Sequence, residues 1–210
     1  VAGAPYRLAD PLSRMAGQYS AVVIDTRPSF SLLTEMGLLA ATDAIVPVEP
    51  RYLETVGLMS VIGKINDIRE GWRHPNLRIS GILVTKLDMR VRGHKHLLEE
   101  LKAHSVLGKL MCGVIPANEA VSYAHHNHQS IFAYDSQCPA SKAYAQLVGQ
   151  LVRQQAAHAV VLAGVDQRVD LRRGHQATGG VVHQHPVAIQ RAALLQRLQA
   201  AQHRVGARGS

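Results

Sequence analysis

Residues 21–29 read AVVIDTRPS: four apolar residues, then an aspartate, a threonine and a turn built on proline. Such a run predicts a strand buried in a parallel sheet, with Asp25 at its carboxyl end. In a doubly wound sheet, ligands bind beyond that end. A carboxylate placed there suits a magnesium-bound water, because the ion prefers oxygen ligands and keeps part of its hydration shell. Thr26 and the turn through Arg27, Pro28 and Ser29 then form a loop placed to sense a terminal phosphate. The plainer alternative is that Asp25 only caps the turn into the helix that begins near Leu32.

Outward from this strand, residues 20–155 alternate short apolar runs with segments of helical period, the pattern of a parallel sheet wrapped by helices. Strands are expected at Ala21–Asp25, Ala44–Val48, Ile79–Thr85 and Leu110–Ile115. Helices are expected at Leu32–Ala41, Leu53–Arg69, His94–His104 and Ser141–Gln154. In the second of these, Val56, Met59, Ile62 or Gly63, and Ile65 read as the stripe packed on the sheet.

Three further features bound the chain. Its 210 residues are 47% hydrophobic and 18% charged, which suits one domain with a sizeable core and excludes a disordered chain. No apolar run approaches the ~18–20 residues of a membrane span, and the start, VAGAPYRLAD, lacks a signal-peptide pattern, which places the protein in the cytosol. A start at Val suggests a fragment, a misplaced start or a processed terminus. Cys112 and Cys138 are too few for a disulfide framework.

The net charge of +8 is uneven: residues 156–210 hold seven Arg and two Asp, and no Lys, Glu, Asn, Cys, Met or aromatic residue. That vocabulary reads either as a flexible basic tail or as translation out of frame. The chain thus divides into an irregular segment 1–18, a domain 19–155 and a low-complexity tail 156–210. Within the tail, Pro186–Arg204 has a weakly amphipathic helical pattern.

Two more strand ends carry chemistry. Val84–Asp88 reads VTKLD, and Thr-Lys-x-Asp at a strand end is how several P-loop GTPases read guanine. The plain reading is a strand exit with charged residues in solvent. Val114–Asn118 reads VIPAN, where a loop after Pro116 is placed to wall a base. Arg90, Arg92, Lys95 and Lys102 follow the VTKLD strand and run along the next helix, so they are candidates for phosphate contact. Pairing with Glu99 and Glu100 is the bland alternative. His125, His126 and His128 do not share a helical face, and they read as a polar surface loop rather than a metal site.

The order IDTRPSFSLLTEMGLLAATDAIVPVEPRYLETVGL, ISGILVTKLDMRVRGHKHLLEELK and GVIPANEAVSYAHHNHQSIFAYDSQCPASKAYAQL resembles the ParA/Soj branch of the P-loop ATPases over about Tyr19–Arg153. The resemblance implies an α/β domain with a mostly parallel, doubly wound sheet. It also implies ATP and Mg2+ as cofactors, ATP-dependent homodimerisation, nonspecific DNA binding on the nucleoid, and hydrolysis stimulated by a ParB-like centromere-binding partner. On this likeness Asp25 is the Walker B acid acting on magnesium through water, with Thr26 beside it. Arg27, Pro28 and Ser29 belong to the switch loop, and Thr85, Lys86, Asp88, Pro116 and Ala117 to the base pocket.

The departures are specific. Arg27 stands where the family usually has Pro, and Ala117 where it often has Arg. No Gly-Lys pair precedes the Asp25 strand. The likeness therefore implies an N-terminally truncated member without the first strand and P-loop. In the family that strand lies inside the sheet beside the Asp25 strand, so its loss is expected to leave an exposed apolar edge. The expected function is that of a partition ATPase. Its alternatives are an inactive remnant acting only by association and a MinD-like ATPase held at a membrane by Pro186–Arg204.

Overall fold

The computed structural model describes residues 6–15, 18–19, 21–27, 30–50, 55–154 and 158–163. In chain order the elements are α1 (Ala9–Arg14), β1 (Ala21–Thr26), α2 (Leu32–Leu39), β2 (Asp43–Val48), α3 (Thr55–Gly71) and β3 (Arg78–Leu87). They continue with α4 (Arg92–Ala103), α5 (Leu107–Leu110), β4 (Met111–Pro116), α6 (Glu119–His126), α7 (Ile131–Tyr134), α8 (Pro139–Gln154) and β5 (His158–Ala163). The five strands form one parallel sheet in the order β1-β5-β2-β3-β4.

The period-two alternation of a strand divides the core into two layers. Ala44, Val46 and Val48 of β2, with Ile82 and Val84 of β3, pack with buried residues of α2, α3 and α4. Ile45 and Leu83, the intervening positions, pack with Ala124 of α6, Ile131 of α7 and Leu147 and Leu151 of α8. Both faces of the central strands are therefore covered, which is why β2 and β3 read as continuous apolar runs.

Two findings correct the sequence expectations. The first concerns the position beside β1. Beyond residue 155, within the segment read as a tail, His158–Ala163 forms β5 and enters the sheet between β1 and β2. It pairs with all six residues of β1, from Ala21 with His158 to Thr26 with Ala163, and with Asp43–Ile45 of β2. One side of β1 is thus filled by HAVVLA, a short apolar run whose strand character was hidden by the composition around it, while β1 itself remains the terminal strand of the described sheet, as the expected edge implied. Pro186–Arg204 lies outside the described residues.

The second correction is the phase of α3. The buried stripe is Leu58, Val61, Ile62, Ile65 and Ile68, whereas Met59 is 38% exposed. These positions follow i, i+3, i+4, i+7, i+10 without a gap; Ile62 and Ile65 of the expected stripe are among them, and Leu58 takes the place expected of Met59.

The amino-terminal edge of the sheet holds a buried charge. Asp43 is fully buried at the start of β2 and accepts hydrogen bonds from Thr42 Oγ1 (2.7 Å), Arg78 Nη2 (2.8 Å) and Ser80 Oγ. Burial pushes its carboxyl upward, but the bonds from Ser80, Thr42 and Arg78 and the guanidinium charge outweigh it and hold it below the usual range. Ser80 reaches Asp43 because the β2–β3 register shifts between Ala44 and Ile45, leaving Ser80 as the extra residue.

The phase of α3 is testable by thermal or denaturant melts. Leu58→Ala should cost about 2–5 kcal/mol, as for a fully buried leucine. Met59→Ala should stay within about 0.5 kcal/mol, as for an exposed position. Equal losses at the two positions would contradict the observed packing.

Candidate functional site

Because all strands run parallel, their carboxyl ends share one edge of the sheet, and every strand-end residue singled out in the sequence sits there. Asp25 is the exposed penultimate residue of β1, with Thr26 half-buried beside it and Arg27 exposed beyond. Pro28 and Ser29 lie outside the described residues. Three strand spacings separate β1 from β3, so the Asp25 end and the Lys86 end stand roughly 14 Å apart along the edge.

The β3 end is shaped by a bulge. Val84 pairs with Val114 and Leu87 with Pro116, so Thr85 and Lys86 together oppose Ile115 alone. Lys86 takes up the extra residue with φ of 54°, the left-handed region that a lysine rarely enters. Turned out of the strand, its Nζ pairs with Glu49 Oε1 at the end of β2. Thr85 Oγ1 donates to the carbonyl of Val48 at 3.1 Å. Two of the three polar side chains assigned to a base pocket, Thr85 and Lys86, are thus anchored on the exit of β2.

Next to this bulge, Asp88 organises the turn into α4. Its Oδ1 accepts from the Arg90 backbone N–H at 2.9 Å, an Asx turn. The Arg90 guanidinium closes on the same carboxylate, Nε to Oδ1 at 3.0 Å and Oδ2 at 3.3 Å and Nη2 to Oδ2 at 2.8 Å. The side-chain and backbone bonds from Arg90 hold the Asp88 carboxyl at about 2, well below its usual range. The Asp88 backbone N–H donates to His94 Nδ1 at 3.1 Å, which requires that ring nitrogen to carry the lone pair. A carboxylate this engaged is poorly placed to accept from guanine. The exit of β4 is tied to that of β3 by the Ala117 N–H, which donates to the Leu87 carbonyl at 2.8 Å. Asn118 Oδ1 then accepts from the Ala120 N–H at 2.9 Å and caps α6.

Arg92, Lys95 and Lys102 stand exposed on α4, and among the described residues none of them makes an ion pair. His125 and His126 belong to α6, and His128 follows it with φ of 52° as the left-handed residue of a helix-ending motif, its N–H donating to the His125 carbonyl. No group of three or more His, Cys, Asp or Glu able to hold a metal occurs among the described residues.

The donor set fits a magnesium nucleotide only in part. Asp25 offers an exposed carboxylate of the kind magnesium takes through water, and Thr85, Lys86, Pro116 and Ala117 line a strand-end surface. The phosphate side needs a loop of backbone N–H groups at a helix amino-terminus. No Gly-Lys-Ser or Gly-Lys-Thr sequence occurs in the 210 residues to build one. Glu49 was missed by sequence reasoning, as were the partners that His94 and Asn118 find. Glu49 is the first charge after the apolar run AIVPV, the same signal that selected Asp25.

In fold, the chain is similar to cobyrinic acid a,c-diamide synthase from Mycobacterium smegmatis with a bound ATP analogue and magnesium. The TM-score is 0.58 and the identity 24%, covering 75% of this chain and 59% of that one. It is also similar to the cell division ATPase MinD of Pyrococcus furiosus, at TM-score 0.55 and 16% identity, covering 72% and 59%. The fold is therefore the doubly wound α/β fold of the P-loop proteins.

In sequence, residues 2–79 match a family model described as an AAA domain. The chromosome partitioning protein ParA of Caulobacter vibrioides is 32% identical over 149 residues, 70% of this chain and 55% of the relative. The chromosome-partitioning ATPase Soj of Thermus thermophilus is 33% identical over 153 residues, 72% and 59%. The chain is therefore similar to ParA and Soj proteins over about 70% of its own length, and it spans a little over half the length of these relatives. No helix among the described residues is long and apolar enough to cross a membrane.

The Asp88–Arg90 fork has a direct readout. In Arg90→Ala the Asp88 carboxyl should titrate above its present value of about 2, moving toward the ordinary ~3.9, as followed by carboxyl carbon NMR. Because the folded value is depressed, the fork supports folding above the ordinary value. That support disappears as pH falls from about 4 toward about 2. An unchanged titration in the variant would show that the guanidinium does not set it.

Proposed function

We propose that this chain is a ParA-type partition protein. In this reading the strand-end edge supplies the magnesium side and the base side of an ATP site, and the exposed cations of α4 engage duplex DNA without sequence preference. The observation that carries it is the common edge, where Asp25, Thr85–Lys86 and Pro116–Ala117 close three parallel strands. The relatives named for chromosome partitioning support it, because the similarity runs over about 70% of this chain. Asp25 would hold magnesium through a bound water, and Thr26 stands beside it at the strand end. Arg27, Pro28 and Ser29 form the loop that follows. Thr85, Lys86, Asp88, Pro116 and Ala117 frame the base, with Lys86 steadied by Glu49.

Arg92, Lys95 and Lys102 meet phosphates by charge, with Arg90 within reach at the turn before them, and such binding is salt-dependent. ATP-dependent homodimerisation, a ParB-like partner and a nucleoid-associated place in the cytoplasm belong to the same reading. Without a phosphate cradle in these 210 residues, the chain by itself does not turn ATP over. Its contribution is association, through the sheet edge and the α4 surface.

The test is a steady-state phosphate-release assay on the purified chain with ATP and magnesium, beside Asp25→Ala. No turnover above buffer is expected for either protein. Magnesium-dependent turnover that Asp25→Ala abolishes would sink the claim of inactivity. Salt-dependent binding of the chain to a mixed-sequence duplex should weaken in Arg92→Ala and Lys95→Ala, and should lose roughly one phosphate equivalent of salt slope per cation removed.

A further inference from the structure

Of the four cations assigned to DNA, Arg90 alone has its guanidinium closed on a carboxylate among the described residues. Nε and Nη2 both bind Asp88, while the arginine side chain remains 90% exposed. We propose that Asp88 is an internal counter-anion that holds Arg90 away from the phosphates of duplex DNA and so sets how many phosphates the α4 surface engages. The inference rests on the DNA reading of α4 above and adds a regulatory contact to it.

The reasons are chemical and geometric. A guanidinium offers the same fork of N–H donors to a carboxylate as to a phosphate, so one pairing competes with the other. Asp88 cannot drift away from this position. Its Oδ1 accepts the Arg90 backbone N–H, and its own N–H is held by His94 Nδ1, so the carboxylate is fixed two residues before the guanidinium it binds. Exposure leaves Arg90 free to swing to a phosphate once the carboxylate releases it, with no change in the fold. An exposed ion pair is weak, so the mask is expected to shift affinity by several-fold rather than to abolish binding. The competing, purely structural role is that the fork does no more than steady the turn into α4.

Asp88→Asn separates the two, because an asparagine Oδ1 still accepts the Arg90 N–H and keeps the Asx turn while losing the charge. The full chain, with ATP and magnesium, is titrated with a fluorescent mixed-sequence duplex over a salt series. The proteins compared are wild type, Asp88→Asn, Arg90→Ala and the double variant, with matched circular dichroism melts as the check on folding. Asp88→Asn should bind roughly fivefold tighter near 0.1 M salt and steepen the salt slope by about 0.9, one additional phosphate. Arg90→Ala should cost roughly fivefold more when combined with Asp88→Asn than in wild type.

A gain in Asp88→Asn that survives Arg90→Ala would overturn the mask, since it would reflect only the lost negative charge. Equal costs of Arg90→Ala in both backgrounds would overturn it as well. If wild type binds with a salt dependence that Arg92→Ala reduces while this cycle stays flat, the mask alone fails. If no protein in the set binds duplex DNA, the DNA reading fails and the mask falls with it.

Discussion

The pairing of β5 with β1 on one side and β2 on the other is the constraint on which the rest of the structure depends. In the described sheet no ladder joins β1 to β2 directly. Asp25 and Lys86 therefore share an edge only because His158–Ala163 lies between their strands. The six-residue register with β1 fixes the height of Asp25, and the pairing with Asp43–Ile45 fixes β5 against the well-packed centre. A parallel strand inside a sheet satisfies its neighbours' backbone groups on both sides, and leaving those groups unpaired in a buried sheet is costly. A strand that comes late in the chain holds this position.

On the edge built this way, local backbone geometry decides what each side chain can do. The bulge at Thr85–Lys86 turns the lysine out of the strand into the left-handed region, where Glu49 meets it. Bulges commonly re-aim side chains beside functional sites. The Asx turn at Asp88 brings Arg90 back onto its carboxylate, so one basic residue near the site is neutralised, while Arg92, Lys95 and Lys102 make no ion pair among the described residues. Charge at this edge is distributed by turns only two or three residues long, which bulk net charge does not report.

Much of the fold was legible in the sequence because its strands are buried on both faces. The four apolar runs ending at Asp25, Val48, Thr85 and Ile115 became β1 to β4 within about two residues at each end, and the helix segments between them became α2, α3, α4 and α8. Short elements were not legible. α1, α5, α6 and α7 run from four to eight residues, too short for a helical period to declare itself. The phase of α3 was misread because Met59 and Leu58 are both apolar, and only packing selects between them. β5 escaped because its six residues are surrounded by Ala-, Arg- and Gln-rich sequence with no turn signal ahead of it. At the site, residue types at strand ends were readable, but their partners were not. Glu49 meets Lys86 across strands 37 positions apart in sequence, a pairing set by register alone.

The most direct measurement is amide hydrogen exchange across the sheet, resolved by residue. If β5 links the Asp25 strand to the core, amides of residues 158–163 and of Val22–Thr26 exchange slowly and together, in the same protection class as Ile45 and Val46 of β2. Fast exchange at 158–163 and in β1, beside full protection of β2 and β3, would contradict it and would separate Asp25 from the edge that carries Lys86.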